Sequence, residues 1–390
     1  LPLSAALPFI LGWFVASRLV LEAVGYIALL RFPGGTPPQP WPLPEAPAYL
    51  DMWVRWDSQW YLEIARRGYW LRPDGTPQPQ VFFPLYPLLI RLFSPAFGGQ
   101  AHLAGLFLSN AALVGSLYLL LLLAREEGLS REEAKRASLY LLLFPGAFYF
   151  SALYTESLFL FLSLLSLLLA RRGKPLLSAL SGAGAVLTRS PGILLLFPLL
   201  LALRERRGRT LLPLLLLPLA LGAYMLFLHR TTGDPLAFAR AESLWGRKPA
   251  APWISLGQAA RNVWEEPPPS PSLPRCYMNA WRPPYRRLYS AIDLGAFLSS
   301  LSLLLLGIRR LPPYLLLWHL SLLLPPLLAP SLGSMTPIPS MVRYVTVAFP
   351  GFLALASIPL PPHLDMGLAA FFFSLQALFF ALFVTWNWIA

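Results

Sequence analysis

From Leu103 to Ala124 the chain reads LAGLFLSNAALVGSLYLLLLLA, 22 residues without a charge. Coiled as a helix, that run is about 33 Å long, which matches the roughly 30 Å hydrocarbon core of a bilayer. Arg125, Arg131, Lys135 and Arg136 follow at once. Ten more apolar runs surround this one, at 5–30, 137–153, 155–170, 174–188, 191–203, 210–229, 288–308, 314–330, 343–357 and 364–388. The whole chain of 390 residues is 56% hydrophobic and 13% charged. A soluble protein carries about 25% charged residues. A mean hydropathy of +0.57 therefore excludes an ordinary soluble domain and a disordered chain. The runs predict an all-α polytopic membrane protein of about eleven transmembrane helices, folded as one integral-membrane domain over residues 1–390.

Charge orients the helices. The short connections 125–136, 171–174, 204–209 and 309–310 hold 13 Lys or Arg in 24 residues. Such density marks the cytoplasmic side. Two long polar segments, 31–80 and 230–287, hold 14 in 108 residues and are expected outside. The net charge of +13 is then absorbed by the positive-inside bias and by anionic headgroups. No nucleic-acid partner is expected. A single Cys276 excludes an internal disulfide and a cysteine metal cluster, and His102, His229, His319 and His363 have no metal-ligand spacing. No cleavable leader is expected, because the apolar run at 7–30 is too long and lacks a basic flank.

The same orientation turns 137–170 into a hairpin whose outer turn is Tyr154-Thr155-Glu156-Ser157. The arms on either side of Arg189-Ser190-Pro191-Gly192 are too short to span separately, so a broken pair buried in protein is expected there. Residues 82–97 cannot cross and are read as a helix lying in the outer interface. In Trp56-Asp57-Ser58-Gln59-Trp60-Tyr61, Asp57 is placed to cap an interfacial helix over 57–67, ending at Gly68. A carboxylate there would serve equally as a general base. Glu156 reads as a solvated turn residue or as part of a site. Arg189 needs a partner, either Glu156, Asp57 or an anionic ligand. Arg343, beside Tyr344, reads as a snorkelling helix-end cation or as a ligand for an anion. His229 and Arg230 end a helix on the same side. One carboxylate base and several cations at one face of a bilayer suit a lipid-linked phosphate substrate. A flippase for such a lipid would use the same cations. An anion transporter would instead be expected to have related halves with broken helices, and no repeat is present.

These residues carry a resemblance. Trp56-Asp57-Ser58-Gln59-Trp60-Tyr61, Ile64-Ala65, Gly68-Tyr69 and Phe82-Phe83-Pro84-Leu85-Tyr86-Pro87 resemble the first-loop signature of the GPI mannosyltransferase II (PIG-V-like) family and its bacterial relatives. The order continues through Phe144-Pro145-Gly146, 151–157, 189–192, Gly233-Asp234-Pro235 and Arg343-Tyr344. The chain departs from the family at Pro191, where eukaryotic members are expected to carry Asn, and in the Pro-rich stretch 267–284.

The resemblance implies a GT-C glycosyltransferase fold and sugar transfer from a polyprenyl-phosphate donor, with mannose the expected sugar. It implies Asp57 as the catalytic base. Arg189 and Arg343, with His229 or Arg230, are then read as the donor-phosphate ligands. Trp56, Trp60, Tyr61, Tyr154, Glu156 and Tyr344 are read as substrate-binding. The acceptor is expected to be a glycolipid, glycan or protein, met on the non-cytoplasmic face of a bacterial plasma membrane. No obligatory cofactor is expected, because the chain has no GxGxxG, P-loop or DxD motif. No metal site is expected, although Asp51, Asp57 and Glu156 remain conceivable ligands.

Overall fold

The computed structural model describes residues 3–32, 46–70, 79–204, 211–244, 246–265, 285–332, 336–387 and 389. All secondary structure among them is helical. The Pro-rich stretch, Cys276 and most of the basic connection at 204–209 lie outside the described residues.

Each of the eleven apolar runs forms helix, but not all of them are single helices of spanning length. Five helical stretches among the described residues are long and apolar enough to cross a membrane: Ala6–Arg31, Ala101–Glu126, Leu212–Thr232, Arg287–Gly307 and Pro362–Val384. They lie in α1 (Leu3–Arg31), α4 (Ala101–Glu126), α9 (Leu216–Thr232, extended by a 3-10 turn at Leu212–Leu215), α12 (Tyr285–Gly307) and α16 (Pro362–Val384). Their outward faces carry bare Leu19, Ile27, Leu219, Leu305 and Phe371. Apolar faces of this kind are stable only against lipid, so the chain is an integral membrane protein.

The remaining runs do not confirm the expected count of about eleven crossings. The other runs are α5 (Arg131–Leu143), α6 (Glu156–Arg171), α7 (Pro175–Thr188), α8 (Leu196–Leu203), α13 (Pro313–Leu328) and the pair α14 (Met341–Val347) and α15 (Pro350–Ala356). Proline causes most of the shortening, because it lacks the N–H that continues a helix. The run expected at 137–153 stops at Leu143, before Pro145. The freed carbonyls of Leu142 and Phe144 accept from Gln376 Nε2 at 3.2 and 3.1 Å. Arg18 of α1 donates to Ser151 Oγ at 2.7 Å in the same break. Irregular backbone inside a membrane survives only when protein groups satisfy it in this way.

The two short helices expected at 57–67 and within 82–97 exist, as α2 (Ser58–Arg67) and α3 (Leu85–Phe93). The expectation that α2 rests on lipid is corrected. Tyr61, Leu62, Ile64 and Ala65 are buried, and α2 packs on α3 and α4. In sequence order, α4 packs on α6, α6 on α7, and α7 on α9, while α12 packs on α11 (Pro252–Trp264) and on α14 and α15.

The short pair around Arg189 depends on one glycine. A Cβ on Gly192 would overlap the carbonyl oxygen of Ala185 and come within 2.6 Å of Val186 N, both backbone atoms of α7. Backbone cannot step aside as a flexible side chain can. Gly192→Ala is therefore expected to destabilise the protein by about 1–3 kcal/mol, the usual cost of overpacking a core. Thermal unfolding in detergent checks it, and an unchanged transition would show that α7 and the Ser190–Leu195 turn part easily.

Candidate active site

Asp57 is presented by a loop under local constraint. Trp56, just before it, has a φ of +53°. Such a left-handed conformation costs a bulky residue roughly 1–3 kcal/mol and persists only where the surroundings enforce it. Here the enforcement is visible. Trp56 packs edge-on against Trp386 at 5.5 Å. Arg55 donates to the Val384 carbonyl at 3.2 Å and pairs with Asp51 at 2.5 Å. Trp53 donates its indole N–H to Glu22 of α1 at 2.7 Å.

The loop is also stitched to the 151–157 turn. Leu153 N donates to Trp53 O at 3.0 Å. Ser58 Oγ donates to Leu153 O at 3.1 Å, and Asp57 N donates to the Tyr154 hydroxyl at 3.2 Å.

The expected cap is absent. Asp57 stands at the N-cap of α2, but its φ of −61° and ψ of −19° are already helical and its side chain makes no capping bond. The carboxylate instead accepts from Arg343 Nη1 at 2.8 Å. Arg343 Nε donates to Glu156 Oε1 at 2.7 Å, and Arg189 Nη1 donates to the same oxygen at 2.5 Å. The result is a chain of alternating charge, Asp57–Arg343–Glu156–Arg189, drawn from four separate segments.

Exposure divides the roles. The Glu156 side chain is 0% exposed, whereas Arg343 keeps 8%, Asp57 10% and Arg189 13%. Glu156 is thus the sealed centre of the chain, and Asp57 and Arg189 are its ends, each largely buried with a small opening. The reading of Glu156 as a solvated turn residue fails for that reason. So does the reading of Arg343 as a snorkelling cation. It is 6% exposed and lies against the rings of Tyr149 and Tyr154, at 5.2 and 4.9 Å from their centroids. The first turn of α6 suits a carboxylate at Glu156, because the free N–H groups there carry partial positive charge.

The other expected site residues divide into two groups. Tyr61 shares a 3.3 Å hydrogen bond with Thr155, whose hydroxyl accepts from Arg189 at 3.2 Å. Tyr344 lies with its ring 5.7 Å from the Arg189 guanidinium. Trp60 stacks between Trp70 and Phe82 at 6.1 and 5.6 Å, beside the site rather than in its ionic chain. His229 and Arg230 are not brought in. Both are exposed at the end of α9, where the His229 ring bonds the Gly233 carbonyl at 3.2 Å. Among the described residues no group of three or more His, Cys, Asp or Glu is arranged to hold a metal, and Asp51 is engaged by Arg55.

Two residues that the sequence reading did not single out adjoin the site. Asp293 of α12 is 2% exposed and accepts from the backbone N–H groups of Met341 and Val342, directly before Arg343. Its Oδ1 is buried without a hydrogen-bond partner. It ties down the start of α14, whose own N-cap, Ser340, makes no side-chain bond. Asp293→Leu is expected to cost about 1–3 kcal/mol by orphaning two buried donors. Asp293→Asn, which can still accept, should recover part of that in thermal unfolding.

The second is Arg247, in the long segment 230–287. It pairs with Glu242 at 3.4 Å and lies near enough to Tyr344 to interact with it. Burial works against its charge, but Glu242 and then Tyr344 outweigh that and hold the guanidinium above the usual arginine range.

The fold and this site describe a membrane-embedded helical protein with a largely buried carboxylate beside guanidinium groups. Its resemblance to a known family holds: residues 45–204 match the model of the mannosyltransferase (PIG-V) family. That segment contains Asp57, Glu156 and Arg189. No curated protein matches the chain.

Among solved structures, the apo oligosaccharyltransferase of Archaeoglobus fulgidus aligns at 14% identity and a TM-score of 0.46, over 96% of this chain and 56% of that one. The oligosaccharyltransferase AglB from the same organism, in complex with an inhibitory peptide and a dolichol-phosphate, aligns at 13% and 0.39, over 96% and 55%. The mycobacterial arabinofuranosyltransferase AftD aligns at 14% and 0.41, over 97% and 27%. The chain spans about half the length of the archaeal proteins and less of the mycobacterial one.

Proposed function

We propose that the chain is an inverting glycosyltransferase that moves a sugar from a polyprenyl-phosphate donor to a hydroxyl acceptor, and that the sugar is mannose. The single observation that carries this reading is the Asp57 carboxylate. It is held by Arg343, keeps a tenth of its side-chain surface exposed, and makes no capping bond. The match of residues 45–204 to a mannosyltransferase family supports the choice of sugar.

In this reading the acceptor oxygen attacks the anomeric carbon while its proton passes to Asp57. The bond between that carbon and the phosphate oxygen breaks, and its electron pair leaves on the phosphate. Phosphate needs little general-acid help when cations hold it. Attack from the opposite face inverts the anomeric centre, so a β-linked donor yields an α-linked product. A polyprenyl phosphate is released, and no nucleotide takes part.

The charge asymmetry of the loops supports a site on the non-cytoplasmic face of a bacterial plasma membrane. The acceptor is then a glycolipid, glycan or protein outside the cytoplasm. Purified protein supplied with polyprenyl-phosphate mannose and a panel of such acceptors tests the reading. Acceptor-dependent transfer with inverted linkage is the expected result. Movement of the donor lipid across liposomes without transfer would replace the enzyme with a flippase.

A further inference from the structure

The ionic chain at the site consumes itself. Arg189 and Arg343 are matched by Asp57 and Glu156, one carboxylate for each guanidinium. A phosphate arriving there finds no uncommitted positive charge on Arg343, whose Nε and Nη1 both serve carboxylates. Arg247 supplies a third guanidinium from a different part of the chain. It lies beside Tyr344, whose ring is 5.7 Å from the Arg189 guanidinium, so two arginines flank one tyrosine.

The backbone around Arg247 is anchored. Arg247 N donates to Glu242 O at 3.1 Å, and Lys248 N and Ala250 N donate to Pro330 O and Leu328 O at 3.0 and 3.1 Å. The side chain, by contrast, is held loosely. Its carboxylate partner Glu242 is a third exposed and stands at 3.4 Å, against about 2.7–2.9 Å for a strong charge-assisted bond. Such a pair is readily exchanged for a better anion.

We propose that Arg247 and Arg189 form the phosphate-binding pair of this site, with Glu242 occupying the place of the anion until a phosphate-bearing lipid displaces it. The ligand class is a phosphate ester of a long-chain lipid, either the sugar donor or the lipid phosphate left after transfer. This rests on the transferase reading for its role, but the binding itself can be tested without any transfer.

The test uses the full chain in lipid nanodiscs, titrated directly with a polyprenyl monophosphate and, separately, with inorganic phosphate. Arg247→Gln should weaken lipid-phosphate binding by about 10- to 100-fold, the range for a lost charged hydrogen bond. Arg247→Lys should restore part of it. Glu242→Gln should tighten binding, a result that a merely structural salt bridge would not give. Arg240→Gln, which removes an exposed charge from the same segment, should leave binding unchanged. Inorganic phosphate that binds as well as the lipid would support the anion site and assign it no reading of the lipid chain. If folded Arg247→Gln binds the lipid phosphate as wild type does, the proposal is overturned. If binding depends on Arg247 yet no sugar moves, the transferase reading fails and this one stands.

Discussion

Asp57→Asn should lower turnover by 10²- to 10⁴-fold, the usual cost of losing a general base, and leave the protein folded. The asparagine keeps the size of the side chain and can still accept from Arg343. It cannot take up the acceptor proton. No cap is at stake, because the Asp57 side chain makes no capping bond. The backbone bond from residue 57 to Tyr154 is independent of the side chain. Turnover measured at saturating donor, with donor affinity measured in parallel, separates chemistry from binding. A folded Asp57→Asn protein with near-normal turnover would remove the assignment. Glu156 is sealed and Asp51 is paired with Arg55, so neither is placed to substitute.

Glu156→Ala should be the most damaging substitution for stability. Its Oε1 accepts from both Arg343 and Arg189. Removing it leaves two largely buried guanidinium groups facing each other without the charge between them. Breaking a buried pair from one side costs about 3–5 kcal/mol. Glu156→Gln, which can still accept hydrogen bonds, should cost less. The pair Arg172–Glu126 provides the contrast, because each side chain is 40% exposed. Glu126→Ala should stay within about 1 kcal/mol of wild type. Thermal unfolding of the three variants in one detergent decides it, and an equal, small shift for Glu156→Ala would mean that water reaches the site.

The helices were legible in the sequence because hydropathy is a local property. The run at 103–124 needs nothing outside itself to be recognised. The breaks were less legible because their feasibility depends on distant partners. Pro145 announces an interruption, but the groups that make it tolerable, Gln376 and Arg18, come from the two ends of the chain. The need of Arg189 for a partner could be read from its setting, and Glu156 was among the candidates. The pairing of Asp57 with Arg343 could not be read, since 286 residues separate them. Arg343 therefore looked like a helix-end cation. Asp293 did leave a signal, as a lone carboxylate within the apolar run 288–308, which is costly without a structural reason. Arg247 left none, being one of several cations in a long polar segment.

The order in which the charges are synthesised follows from the spacing of that ionic chain. Arg189 is made 33 residues after Glu156. The carboxylate of a newly inserted hairpin thus gains its first counter-ion almost at once, and the membrane need never host it alone for long. Asp57 has no such early partner. It must stay at the wet edge of the bilayer until Arg343, 286 residues later, is made. Chains that have not reached Arg343 therefore carry a settled Glu156–Arg189 pair and an unsettled first loop. A ribosome-bound intermediate would have its structural centre in place before it had a site able to act.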